Sequence, residues 1–186
     1  MQHMKAALYL SIIFVTIVIG QTRPPMHNFE IGAAGVFPLS GFRTYDYEAG
    51  PGWRAGYEFR PAKHFAADAG FTQTWPITAE NCGRFGCEYA REKLGLLDYG
   101  VRGILPVAQG RLELSVGIGG AYVWHPFGYS GPFGSDGALL QYSGKASFAL
   151  SQQGRVRANV SVRGYRDLGR PTQQWLATTV GVSCGF

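Results

Sequence analysis

The charged residues of this chain keep to one side of every candidate β-strand. Successive side chains of a strand point to opposite faces, so residues of like parity share a face. One parity of the candidate strands is apolar and uncharged, as in Leu112, Leu114 and Val116. The other parity holds five acids and seven bases: Glu30, Arg54, Glu58, Arg60, Asp68, Asp98, Arg102, Glu113, Lys145, Arg155, Arg157 and Arg163. A chain with this pattern requires a sheet that separates an apolar face from a charged one.

Eight segments carry the alternation, and turn residues separate them. We expect strands at residues 28–37, 51–60, 65–74, 92–105, 111–124, 138–150, 155–165 and 174–186. The connections alternate between long and short, and the short ones are 61–64, 106–110 and 151–154. Tight turns at one end and long loops at the other are typical of up-and-down transmembrane barrels. Together with 27 glycines and 14% aromatic residues, the pattern predicts an all-β fold, an eight-stranded antiparallel up-and-down β-barrel.

Two architectures are compatible with this alternation of apolar and charged residues. A soluble lipocalin-like barrel or sandwich would turn the apolar face inward, whereas a transmembrane barrel turns it toward lipid and the charges toward the lumen. The transmembrane barrel is favoured by aromatic residues at strand ends, such as Phe59 and Phe65 around the first tight turn. Small residues on the charged parity also suit the narrow interior of eight strands. Because unpaired edges are costly in hydrocarbon, we expect the last segment to pair with the first, near residues 29–37.

The N-terminus has the three-part pattern of a secretory signal peptide. Lys5 precedes the uncharged stretch 6–20, in which Val18 and Gly20 supply small residues before the expected cleavage point. A transmembrane anchor helix is the rival interpretation, but the apolar stretch is shorter than the ~20 residues that span a bilayer. We therefore expect a signal peptide at residues 1–20 and one barrel domain at 21–186, with both termini periplasmic.

The end of the chain alternates as well. Thr178, Val180, Val182, Cys184 and Phe186 occupy every second position up to the last residue. Together with the eight segments, this end resembles that of small outer-membrane β-barrels of the OmpA-like, OmpX-like and opacity-protein kinds. The resemblance implies residence in the cell outer membrane, among its lipid and lipopolysaccharide. It also implies periplasmic chaperones and the outer-membrane insertion machinery as partners, with Phe186, Val182 and Val180 as the assembly signal. Cys184 departs from the pattern, because an aliphatic residue is more usual there.

Two of the three cysteines lie close together in a long connection. Export makes a disulfide possible, and we expect one between Cys82 and Cys87 across a short Gly-containing loop. A metal site is the alternative, but Glu80, Glu88 and two thiols do not readily complete one. Cys184 has the lipid-facing parity at the other end of the barrel, where we expect a free thiol.

The charges of the lumen face are expected to pair with one another. Buried charges are costly unless paired, so we predict a cross-strand network. Its members are Arg54, Glu58, Asp68, Asp98, Arg102, Glu113, Arg157 and Arg163. Such a network can fill the lumen as a structural plug or line a path for ions and small solutes. Both alternatives stay open from sequence.

The residues give little support to catalysis. Barrel enzymes that act on lipid A need a nucleophile with a histidine in reach, and only His125 lies near candidate partners, Ser130, Ser135 and Asp136. The stretch around Ser130 is not a GxSxG elbow.

A net charge of +5 without a basic cluster argues against nucleic-acid binding. We expect a non-enzymatic protein without a cofactor or metal site, with a structural or surface-interaction role. Its loops are rich in aromatic residues, Gly and Arg, and their ligand is unknown. A small gated pore is the alternative, and a lipid A enzyme is less expected.

Overall fold

A computed structural model describes residues 25–40, 46–47, 50–75, 77–83, 86–124, 138–168 and 174–186. The strands are β1 (His27–Ser40), β2 (Asp46–Tyr47), β3 (Gly50–Ala62), β4 (Phe65–Thr74), β5 (Ile77–Gly83), β6 (Gly86–Glu92), β7 (Gly95–Val107), β8 (Leu112–Trp124), β9 (Ala138–Ala149), β10 (Val156–Asp167) and β11 (Gln174–Gly185). The expected signal peptide and the residues His125, Ser130, Ser135 and Asp136 lie outside the described residues.

Eight of these strands form a closed barrel in the order β1-β11-β10-β9-β8-β7-β4-β3, with β3 returning to β1. All neighbours are antiparallel. The barrel closes where Phe29 faces Cys184 and Ile31 faces Val182. The predicted fold is therefore confirmed, including the pairing of the last strand with the first.

The two ends of the barrel differ. Tight connections join β3 to β4, β7 to β8 and β9 to β10, and we call this the turn end; residues 25 and 186 lie there too. A short 3-10 turn at Ala108–Gly110 forms part of the second connection. We call the opposite side, where the longer connections leave the barrel, the loop end. No helix in the described part of the chain is long and apolar enough to cross a membrane.

The barrel is apolar outside and charged inside. Val116, Ile31 and Val180 are 73%, 67% and 63% exposed on its outer wall, whereas Arg54 and Asp98 are 1% and 0% exposed in its interior. A soluble barrel would have the opposite arrangement, because it must bury its apolar face away from water. The prediction that Arg155 faces the interior is wrong: this residue lies between the turn that includes Gly154 (φ 66°) and the start of β10, and its side chain is exposed. The interior strand charges are therefore five acids and six bases.

The connections between β1 and β3 and between β4 and β7 form a second, three-stranded sheet, in the order β2-β5-β6. Residues 38–50 and 75–91 are the long connections between the first and second and between the third and fourth expected strands. The expectation of loops there was wrong in part, because both contain strands of this sheet. Strands β5 and β6 form a hairpin in which Cys82 and Cys87 face each other. Seven-residue strands around a Gly-flanked turn give a weaker pattern than the barrel strands, which explains why the hairpin was missed.

Candidate functional site: the barrel interior

The loop end of the interior is filled by apolar side chains. We call this cluster the apolar layer; it consists of Val36, Leu94, Leu96, Ala121, Val123, Leu139, Tyr165, Trp175 and Ala177. Leu94, Leu96 and Val36 are each 1% exposed. Tight burial of this kind leaves little room for water between the side chains. The layer lies between the loop end and the interior charges.

The sequence analysis did not predict the apolar layer. A signal was present: near the loop end the alternation breaks, so that both parities are apolar. Leu96 is followed by Leu97, and Leu139 by Leu140. The structure places the first residue of each pair inside and the second on the outer wall.

Below the apolar layer, Arg54 and Asp98 form a bidentate ion pair. Arg54 Nη1 donates to Asp98 Oδ2 at 2.5 Å, and Nη2 donates to Oδ1 at 2.7 Å. Arg54 Nη1 also donates to Thr72 Oγ1 at 2.9 Å, and the Tyr165 hydroxyl donates to Asp98 Oδ2 at 3.2 Å. Bidentate arginine–carboxylate pairs are among the strongest hydrogen-bonded contacts in proteins. Tyr165 joins this pair to the apolar layer above it.

Glu58 is the centre of a second group of interior charges. Its carboxylate accepts hydrogen bonds from Arg60 and Arg102, and Lys145 Nζ lies 3.7 Å from its Oε2. Lys145 also donates to Glu30, and Arg102 Nε lies 3.2 Å from Asp68 Oδ1. Glu58, its cations and the carboxylates of Glu30 and Asp68 thereby join the five strands β1, β3, β4, β7 and β9.

A third group lies at the turn end, around Glu113. Arg60 Nη1 donates to Glu113 Oε2 at 2.8 Å, and Arg157 Nη2 lies 3.0 Å from Oε1. Arg157 also donates to two turn carbonyls, from Nη2 to Gly110 at 3.2 Å and from Nε to Gly154 at 3.1 Å. The Arg157 guanidinium thus ties the β7–β8 turn to the β9–β10 turn.

All eight residues of the predicted network lie in the interior with buried side chains. The predicted set omitted Glu30, Arg60 and Lys145, although they have the same parity, and the structure makes each a partner in an ion pair. Arg163 is the least paired member: its Nη1 donates to Ser161 Oγ at 2.6 Å, and its Nε is 3.9 Å from Asp98 Oδ1.

Two cavities adjoin these charges. One, among Glu30, Arg54, Glu58, Arg102 and their neighbours, measures only about 10 Å³, which is about the least space that holds one water. The other, at the turn end, measures about 420 Å³. The cavity among the charges of the middle of the lumen is therefore far smaller than the one beneath it.

The predicted assembly signal lies on the outer wall beside β1. Phe186 is 65% exposed, and Val180 and Val182 face outward as well. The Phe186 ring stacks on His27 and Phe29, each at a centroid distance of 5.7 Å. This packing covers the seam at which the chain closes the barrel.

The remaining predicted residues lie apart from the interior. Cys82 and Cys87 pair through their backbones, but their side chains lie outside the described residues, so the disulfide stays a prediction. Cys184 is an exposed free cysteine on the outer wall.

The two described histidines lie near polar groups of the barrel. His27 Nδ1 lies 2.6 Å from the Tyr57 hydroxyl. His64 Nδ1 lies 3.1 Å from the Ile104 carbonyl oxygen, so both imidazoles have structural partners. Among the described residues no group of three or more His, Cys, Asp or Glu could hold a metal ion.

Solved structures of small outer-membrane barrels share this fold. OprG of Pseudomonas aeruginosa superposes with a TM-score of 0.64 at 12% identity, covering 90% of this chain and 99% of that one. Neisserial surface protein A gives a TM-score of 0.54 at 14% identity, covering 86% and 97%. Ail of Yersinia pestis, crystallised with the heparin analogue sucrose octasulfate, gives 0.53 at 13% identity, covering 88% and 100%. No protein-family model matches the sequence, and the search of curated proteins gives no significant match. The chain thus has the fold of the eight-stranded outer-membrane barrels.

Proposed function

We propose that this protein is an integral outer-membrane β-barrel with a side-chain-filled lumen, serving a structural or surface-interaction role without catalysis. The filled interior carries the proposal. An apolar layer lies above ion-paired charges, and the cavity between these charges measures about 10 Å³. A hydrated ion would have to displace both layers to pass. The exposed apolar outer wall supplies the lipid contact that a membrane location requires.

Planar-bilayer conductance tests the filled lumen. Purified protein should insert without steady unitary currents at neutral pH, because the apolar layer and the ion pairs leave no aqueous path. Trp175→Ala, which removes a large side chain from the apolar layer, should raise conductance. The matched control is Trp53→Ala on the outer wall, where Trp53 is 38% exposed; it should stay silent. Steady currents from the unaltered protein, with Trp175→Ala no different, would support the pore instead.

The surface-interaction role is supported by the small sheet. Strands β2, β5 and β6 pair with one another rather than with the barrel, so they form a structured addition to the strands that close it. A barrel with only a structural role needs no such addition.

Replacing residues 77–92 by a short Gly/Ser connection should therefore leave the barrel folded, because no barrel strand pairs with this hairpin. Adhesion of cells that display this variant should decrease relative to cells with the unaltered protein. Unchanged adhesion and unchanged envelope integrity together would contradict the surface role.

The proposed absence of catalysis has its own test. Overexpression of the protein should leave the lipid A composition of the cells unchanged.

A further inference from the structure

The turn-end cavity has the features of a built site. It measures about 420 Å³, within the range of small-molecule sites. Three tight connections surround it, contributing Lys63 from the first, Gln109 and Arg111 from the second, and Gln152 from the third. Arg157 and Glu113 line its inner side.

The charge of the lining is positive. Its charged lining residues are Lys63, Arg111, Arg157 and one carboxylate, Glu113. Both oxygens of Glu113 are already engaged, Oε1 by Arg157 and Oε2 by Arg60. An anion entering the cavity would therefore meet a lining with three cationic side chains and one carboxylate, and the neutral amide of Gln109 is a further donor.

Arg157 is fixed in place before any ligand arrives. It is 5% exposed, and its bonds to the carbonyls of Gly110 and Gly154 hold the guanidinium between two turns. Its Nη1 is buried and has no hydrogen-bond partner in the part of the chain that the structure describes. Nη1 itself is closed off from the cavity, so Arg157 contributes a fixed positive charge at the inner wall, and a preorganised guanidinium charge of this kind suits a phosphate.

The outer edge of the same cavity is apolar. Phe148 and Leu150 line it and are 52% and 58% exposed on the outer wall of the barrel. The cavity therefore opens at the rim, between the lumen and the surface that faces lipid. A ligand with a phosphate and an adjoining hydrocarbon chain would satisfy both sides of this opening.

We propose that the turn-end cavity binds a phosphate group, and that an anionic phospholipid of the surrounding leaflet supplies it. The phosphate lies against Arg157, Arg111 and Lys63, and the acyl chains leave over Phe148 and Leu150. The site is independent of whether the lumen conducts and of what the loops bind.

Native mass spectrometry of the folded, detergent-solubilised protein tests the site. With phosphatidylglycerol and phosphatidylcholine added in equal amounts, the protein should retain phosphatidylglycerol preferentially. Arg111→Gln should weaken this retention on the order of tenfold, the scale of losing one charge-assisted hydrogen bond. Arg155→Gln is the matched control. Arg155 follows Gly154 directly in the chain and is exposed, but it does not line the cavity. Heat-modifiable gel mobility of each variant shows that it is folded.

A second arm separates the two sources of phosphate. Inorganic phosphate is titrated into the micellar protein while the amide resonances of Gly110 and Gly154 are followed by NMR. Shifts at these two amides without preference for phosphatidylglycerol would assign the site to free phosphate and overturn the lipid source. Equal retention of both lipids with no shifts, or an Arg155→Gln effect as large as that of Arg111→Gln, would overturn the site.

Discussion

Arg54 on β3 and Asp98 on β7 pair side by side inside the barrel, across the intervening strand β4. Both Arg54 Nη atoms donate to the two carboxylate oxygens, at 2.5 and 2.7 Å. The two side chains are 1% and 0% exposed. Because neither charge reaches water, each depends on the other for compensation. This pair lies directly beneath the apolar layer, to which Tyr165 connects it.

Asp98→Asn should lower the free energy of unfolding by about 3–5 kcal/mol, the usual cost of leaving a buried charge without its partner. Arg54 and Arg163 would then share the interior without the carboxylate between them. Urea unfolding in lipid vesicles, followed by tryptophan fluorescence, measures the change. Arg155→Gln, an exposed charge removal, should change stability by less than about 0.5 kcal/mol. Equal stability of Asp98→Asn and the unaltered protein would show that the pair contributes nothing.

Gly70 makes room for the Arg54 guanidinium. A Cβ at this position would overlap the Arg54 Nη2 and Cζ atoms, so Gly70→Ala must displace a side chain that is fixed by Asp98 and Thr72. Overpacking of this kind costs about 1–3 kcal/mol, and the same urea unfolding measures it. Gly144→Ala is the control, because a Cβ there meets nothing within 4 Å. If the two substitutions have the same effect, the interior is looser than the ion-pair geometry implies.

The barrel could be predicted from sequence because apolar and polar side chains alternate regularly along its strands. Every second residue of a barrel strand faces lipid, so the alternation of apolar residues predicts both the length of each strand and the face on which each residue lies. The alternate apolar residues from Leu112 to Ile118 are an example. The interior could be predicted only as a composition. Which acid meets which base depends on strand stagger and side-chain reach, so Glu30, Arg60 and Lys145 were left out of the predicted network. The small sheet and the apolar layer were missed because short strands and doubled apolar residues give no regular alternation.

The cysteine pair in the β5–β6 hairpin leads to a redox prediction. Cys82 and Cys87 face each other in an antiparallel ladder, in which opposed Cα atoms lie about 4.5–5.5 Å apart. That range lies within the separations that disulfides span. Protein isolated from the envelope and denatured without reductant should therefore expose to alkylation only the thiol of Cys184. Reduction should release both other thiols. Three alkylated cysteines before reduction would exclude the disulfide.

The terminal residue makes two contributions that can be separated. His27 N donates to the Phe186 carbonyl oxygen at 3.3 Å, Phe186 N donates to the His27 carbonyl oxygen at 3.0 Å, and the two rings stack. His27→Ala keeps the backbone bonds and removes both the stacking and the hydrogen bond with the Tyr57 hydroxyl, so it should lower the free energy of unfolding by about 1–3 kcal/mol. Assembly in cells should be unaffected, because the closing strand is intact.

Phe186→Ala should lower stability by a similar amount and also reduce the fraction of protein that reaches the heat-modifiable, folded form in the outer membrane. The additional loss is expected because the terminal aromatic residue is predicted to be read during insertion, before β11 meets β1. Gel mobility of envelope fractions, with and without boiling, measures the folded fraction for both variants. If His27→Ala reduces that fraction as much as Phe186→Ala, the terminal ring acts through packing at the seam, and the assembly signal does not include it.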